Sequence, residues 1–266
     1  MVGDDLNTIA SGPTVPDPTT FQNAFEICQK YGILNNLPSN VVERLQAGMN
    51  HMLEETPKEG SIFFETTHNM LVGSARDVAK VACESLGSDI FVEMCSCPIQ
   101  GESAEFGKKL FREHIPSLKA ALQCATQDSV LLNNEKFKIG AWIGTGELTV
   151  TLRGSGKGGR NQEMLASFLN EAWETTSETN PDYYVVISAA FDGIEGNSGA
   201  MGAIVDSSSI TRLKKVGKGR QWLLDQLHNN NTYEVFSMLN DLIVTGHTGT
   251  NVNDMTLVLY AIPVET

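Results

Sequence analysis

The sequence predicts an α/β protein, and three observations carry that prediction. Apolar runs such as YYVVISAAF (183–191) and MTLVLYAI (255–262) have the length and the β-branched and aromatic content of buried strands. Stretches with apolar residues at helical spacing lie between them, so strands and helices alternate along the chain. Finally, 24 Gly and 9 Pro cut the sequence into short pieces, with no repeat or low-complexity tract.

With 266 residues, 41% of them hydrophobic, the chain is long enough for one large domain or two small ones and too apolar to be disordered throughout. Its 19 Lys and Arg against 32 Asp and Glu leave a net charge of −13. That balance argues against a nucleic-acid partner or an anionic membrane surface, both of which reward a positive face. No apolar run approaches the length of a membrane span, and the first residues lack the basic flank and apolar stretch of a signal peptide. The 5 cysteines form no CxxC and read as reduced thiols. A cytoplasmic setting is expected, or a mitochondrial one if a targeting segment precedes Met1, and a homodimer is compatible with the sequence.

Residues 1–18 read as an extended Pro-rich loop. Thr19 or Thr20 caps a helix to Tyr31 that Gly32 stops, and a second helix runs from Ser39 to about Glu55. The polar stretch 54–61 is the boundary that composition suggests. A β-α-β unit is expected next, with strands at 69–73 and 89–94 flanking a helix from Ser74 to Leu86. A helical region covers 101–126, kinked or split at Pro116. Strands at 138–144 and 147–154 are separated by Thr145-Gly146, and a Gly-rich loop then leads into a helix over 161–173. Strands at 183–191, 202–205, 242–245 and 255–262 complete the sheet, with helices over 207–216, 219–229 and 232–239 between them.

Three loops that follow strands are dense in Gly and hydrogen-bonding side chains, the positions where open α/β sheets bind ligands. In the first, Arg153 to Glu163, the glycines Gly154, Gly156 and Gly159 permit close approach of an anion to backbone amides. Arg153, Lys157 and Arg160 add positive charge beside a helix start. A solvated loop with incidental charge is the bland alternative. The GxGxxG spacing permits a dinucleotide site weakly, since the acid expected about 20 residues on is absent, and no Walker A motif is present. In the second loop Asp192 and Glu195 straddle a glycine, which suits either a metal ligand or general base, or an Asx turn. The third, Thr245 to Asp254, gathers hydroxyls and amides for carboxylate or phosphate oxygens, or a self-satisfied turn. Asp4 and Ser11 in the opening loop are candidates for substrate binding or for helix capping.

VGDDLNTIASGPTVPDPTT (2–20), GELTVTLRGSGKGGRNQE (146–163), DGIEGNSGAMGAIVD (192–206) and TGHTGTNVND (245–254) together resemble, in order, the glycerate 2-kinase family whose C-terminal portion is the MOFRL domain. The resemblance implies that residues 1–60 are the tail of a Rossmann-like N-terminal domain and that 61–266 form an α/β domain with the MOFRL region at about 139–262. It implies transfer of the ATP γ-phosphate to the 2-hydroxyl of D-glycerate, with Mg²⁺. The non-kinase alternatives are a hydroxypyruvate reductase-like oxidoreductase or a truncated isoform that binds nucleotide or a partner without turnover.

By match to the family's motifs, Arg160 is expected to face the phosphates, Asp192 to take a metal or a proton, and Thr248, Thr250 and Asn251 to bind ligand. From the loops themselves, Glu195 is the candidate second metal ligand, and Glu147, Arg153, Gly156, Lys157, Gly159, Asp4 and Ser11 are candidates for binding substrate or nucleotide. The sequence departs from the family pattern at Gly144-Thr145-Gly146-Glu147, at Phe191 and at Gly199-Ala200-Met201-Gly202, where a second acid is lost. Family members also carry a lysine upstream of the region matched, so residues 1–266 alone are expected to turn over near background.

Overall fold

The computed structural model describes residues 3–125, 129–132, 135–175 and 183–264. The chain divides into two compact units, Asp4–Val72 and Gly73–Thr266. In the smaller unit, α1 spans Phe21–Lys30 and starts where Thr20 Oγ1 accepts the Asn23 N–H while Asn23 Oδ1 accepts the Thr20 N–H. Helix α2, Ser39–Met49, is shorter than the expected run to Glu55, because the chain turns left-handed at His51 (φ 55°). Gly48 in α2 is buried against the Phe21 ring, which a Cβ would strike. Asp17 holds the Pro-rich loop by accepting from Thr19 and Thr56. Those bonds, the Thr19 hydroxyl first, lower its carboxyl to about 2.

The larger unit opens with α3, Ala75–Leu86, capped by Ser74 and Asp77. The expected strand at 69–73 does not form: those residues are irregular, with Met70 83% and Val72 92% exposed. An apolar run marks a strand only where a neighbour pairs with it. Strand β1, Phe91–Met94, therefore takes its parallel partner from much later in the chain. Next come β2 (Ile99–Glu102) and one helical column: α4 (Ser103–Lys109), a π segment (Leu110–His114) and α5 (Ile115–Cys124). Pro116 does not interrupt the column but stands second in α5. The wider π turn sits just before it, where a proline ring would otherwise press on the carbonyl four residues back.

After β3 (Val130–Leu132), β4 (Glu135–Thr149) runs unbroken through Thr145-Gly146, where two strands were expected. Gly146 stays in the ladder because it has no side chain: a Cβ would collide with the Ile99 backbone of β2. Val150 and Leu152, read as strand residues, lie beyond its end. Helix α6 (Arg160–Ala172), β5 (Tyr183–Ala190), β6 (Gly202–Asp206), α7 (Ser209–Lys215), α8 (Arg220–His228), α9 (Thr232–Leu239), β7 (Leu242–Ile243) and β8 (Asp254–Pro263) follow. Among the described residues these strands form one eight-stranded sheet in the order β1-β4-β8-β5-β6-β7, with β2 and β3 also on β4. The α/β class holds, yet the central ladders β4–β8, β8–β5 and β5–β6 are antiparallel, because β8 returns between β4 and β5.

Register puts Trp142, Val258, Val186 and, one pair along, Tyr260 and Tyr184 on one face. The π segment, α5 and α6 cover it: Leu118 and Leu122 lie over Gly140, the His114 ring is tilted against Trp142 with centroids 4.7 Å apart, and Phe168 meets Tyr184 edge-on at 5.4 Å. Phe168 is fully buried and also touches Phe111, so truncation leaves a void that rigid strands cannot close. Phe168→Ala is expected to cost about 3–5 kcal/mol in urea unfolding, with an unchanged m-value.

Candidate active site around the start of helix α6

The Gly-rich loop does not present its amides to solvent. Arg153 N–H and Gly154 N–H donate to Asn230 Oδ1 (2.7 and 3.0 Å), Ser155 N–H to Asn229 Oδ1 (3.2 Å) and Gly156 N–H to the Asn229 carbonyl (2.9 Å). Lys157 N–H donates to Asn231 Oδ1 (3.0 Å) and Gly158 N–H to Asn197 Oδ1 (2.9 Å). The asparagine run between α8 and α9 thus takes the place that an anion was expected to fill. Gly154 and Gly156 are required for another reason: a Cβ on either would strike the Asn229–Asn231 backbone. Of the loop cations, Arg153 is exposed and the Lys157 ammonium lies over the Tyr233 ring, 3.8 Å from its centroid.

The first turn of α6 leaves N–H groups without helical partners, and Glu195 from the second loop supplies them. Its Oε2 accepts from Asn161 N (2.6 Å), and its Oε1 from Gln162 N (3.0 Å) and Gln162 Nε2 (2.9 Å). Gly159 is extended, and a Cβ there would sit 2.5 Å from the Glu195 carboxyl carbon, so only glycine lets the carboxylate in. Glu195 is 1% exposed, and burial pushes its carboxyl up to about 7 despite the amide donors. An acid whose folded pKa is raised adds stability below its unfolded value and loses it as pH climbs through the folded one. From this group, stability should fall between about pH 4.5 and about pH 7, and Glu195→Gln should flatten that slope in thermal unfolding against pH. A slope unchanged in the variant would assign the titration elsewhere.

Arg160, the first residue of α6, donates from Nε to Asp254 Oδ2 (2.5 Å) and from Nη2 to Asp254 Oδ1 (2.6 Å), and its Nη1 lies 3.5 Å from Glu147 Oε1. The bonds to Asp254, opposed by burial, raise its pKa further, so it is a cation at any working pH. Asp254 opens β8 and also accepts from Asn161 Nδ2 (3.1 Å), while Asn161 Oδ1 takes the Ser188 hydroxyl of β5 (2.5 Å). Three elements therefore fix one guanidinium. Beside it lies a cleft of about 340 Å³ lined by Leu148, Val150 and Leu152 together with Arg160, Glu163 and Asn230.

Asp192 accepts the Ile194 N–H (3.2 Å) in a short turn and lies within electrostatic range of Arg160. The second and third loops are zipped together: Thr248 N–H donates to the Asp192 carbonyl (3.2 Å), the Thr248 hydroxyl to the Phe191 carbonyl, and Phe191 N–H to the Asn253 carbonyl (2.9 Å). Thr248 is thus a turn-former as well as a candidate ligand, and Asn251 turns its Oδ1 back to Asn253 N (3.1 Å). Thr250 is exposed.

As a magnesium centre, Asp192 with Glu195 does not fit. Both Glu195 oxygens are taken by the helix start, and no cluster of three metal-binding side chains occurs among the described residues. Asp4 and Ser11 belong to the smaller unit, where Asp4 borders an open hollow and Ser11 sits at φ 65°. Sequence reasoning passed over Asp254, although it ends the TGTNVND motif, and Asn229–Asn231, whose signal was a run of amide side chains in a chain with an acceptor-hungry Gly loop.

The chain matches the model of the MOFRL family over residues 140–254 and that of a domain of unknown function, DUF4147, over 1–46. It is 31% identical to glycerate 2-kinase of Pyrococcus horikoshii over 97% of this chain and 54% of that protein. It is 29% identical to a protein of Agrobacterium vitis named a hydroxypyruvate reductase, over 97% of this chain and 52% of that one. The crystal structure of glycerate kinase from Thermotoga maritima superposes with a TM-score of 0.68 at 29% identity, covering 98% of this chain and 55% of that one. The chain spans about half the length of the relatives it matches.

Proposed function

The chain belongs to the glycerate 2-kinase family that carries the MOFRL domain, and from that premise we propose that it supplies one side of a site transferring the γ-phosphate of ATP to the 2-hydroxyl of D-glycerate. The observation that carries the reading is Arg160, a permanently charged guanidinium locked by Asp254 at the rim of a cleft. Phosphoryl transfer asks little covalent help of a protein and much positioning and charge neutralisation. A fixed Arg meets developing negative charge without first having to be ordered. Its Nε and Nη2 are held by Asp254, and its Nη1, 3.5 Å from Glu147 Oε1, is the edge on which the phosphates compete with that carboxylate. Asp192, beside it, accepts or orients the proton of the attacking hydroxyl. Thr250 and Asn251 lie in the loop zipped to Asp192, and we assign the carboxylate and hydroxyls of the acid to the Thr250 hydroxyl and the Asn251 amide group.

The reductase reading loses its main sequence support, because the GxGxxG amides are tied to asparagines instead of facing a pyrophosphate. The test is an assay of the longest chain that carries this sequence. ADP is expected to appear from ATP in proportion to added D-glycerate, and NADH with hydroxypyruvate should stay unoxidised. The opposite pattern overturns the proposal.

A further inference from the structure

We propose that the cleft beside α6 is an adenine subsite, in which Leu148, Val150 and Leu152 pack on the face of the base and Glu163 accepts its exocyclic amino group. The inference rests on the kinase reading above and assigns a part of the ligand to a place in it.

The wall decides the class of ligand. D-Glycerate has three carbons, each bearing oxygen, and offers no face that an aliphatic wall would bind. A purine is flat, apolar on both faces and polar at its edge. The volume, about 340 Å³, is at the lower end of small-molecule sites and well above what a three-carbon acid needs. Leu152 is 78% exposed, a large apolar side chain left at the mouth of this cleft by the early end of β4. Covering it gives an apolar ligand a gain that a charged acid would not receive.

Glu163, in the same lining, decides the edge. Glu163 is 2% exposed, and its carboxylate receives the Asn230 amide at 3.0 and 3.3 Å. Asn230 is itself spent on the Arg153 and Gly154 amides, so the pair is rigid. A buried carboxylate held in place accepts hydrogen bonds and donates none, which suits the amino group of adenine and repels the carbonyl oxygen that guanine carries at the same position. Arg160 lines the same cleft one helical turn before Glu163, so a base held at Glu163 has its phosphates on the side of the guanidinium.

The experiment measures binding and turnover together. ATP, ADP and GTP are titrated calorimetrically into the longest chain carrying this sequence, and KM values are taken for ATP and D-glycerate in wild type, Leu152→Ala and Glu163→Gln. Leu152→Ala, an exposed position that leaves the fold intact, is expected to weaken ATP and ADP about tenfold with KM for D-glycerate unmoved. Glu163→Gln is expected to narrow the preference for ATP over GTP by about tenfold, because its amide can donate to the guanine carbonyl. Wild-type turnover with KM for ATP unchanged in both variants overturns the subsite and leaves the kinase reading standing. ADP binding that weakens in Leu152→Ala, with no phosphate reaching D-glycerate, overturns the kinase reading and leaves the subsite. Failure of ATP and ADP to bind overturns both.

Discussion

Arg160→Ala is expected to lower kcat with D-glycerate and ATP about 100-fold or more, the usual cost of removing one fixed donor from developing transition-state charge. The same change leaves Asp254, 7% exposed in its side chain, as a buried carboxylate with its bidentate partner gone, so a loss of about 3 kcal/mol in stability should accompany it. The two effects separate in Arg160→Lys. A point charge on a flexible stem keeps a cation near Asp254 but cannot span both of its oxygens. Stability should therefore largely return while turnover stays low. Recovery of turnover together with stability would mean that Arg160 is a structural ion pair, and its catalytic role would fall.

Gly159→Ala is expected to destabilise the larger unit by displacing the Glu195 cap from α6. The added methyl would meet the Glu195 carboxyl group at 2.5 Å, evicting the side chain that satisfies the Asn161 and Gln162 amides. Two buried N–H groups then lose their acceptor, at about 3 kcal/mol in total. A double-mutant cycle with Glu195→Ala identifies the cause. Once the carboxylate is absent the methyl has nothing to strike, so the pair should cost clearly less than the sum of the single changes. Additive losses would place the clash elsewhere.

Long amphipathic or apolar segments were legible in the sequence: α6, β5, β8 and α9 lie within a residue or so of where periodicity puts them, since local pattern and tertiary burial agree there. Pairing was not legible. The 69–73 run looks like a strand but has no partner, and β2, a strand of IQGE, forms only because Gly146 lets it approach β4. At the site, the motifs located Arg160, Asp192 and Glu195, yet not what they bond to. Glu195 reads as a metal ligand from its neighbours in sequence and proves to be a helix cap, because the groups it meets lie 33 and 34 positions away. The Arg160 partner lies 94 positions away. Contacts at such separations leave no periodic trace.

The sheet order has a bearing on synthesis. The strand made last of the eight occupies the middle of the sheet, and it brings Asp254 with it. While a ribosome is still reading the codons for residues 254–263, β4 and β5 have their inner edges open and Arg160 has no carboxylate to hold it. A nascent chain stalled before that point exposes apolar strand edges of the kind that chaperones cover. Any assay of the α6 site is therefore also a readout of whether β8 has been threaded home.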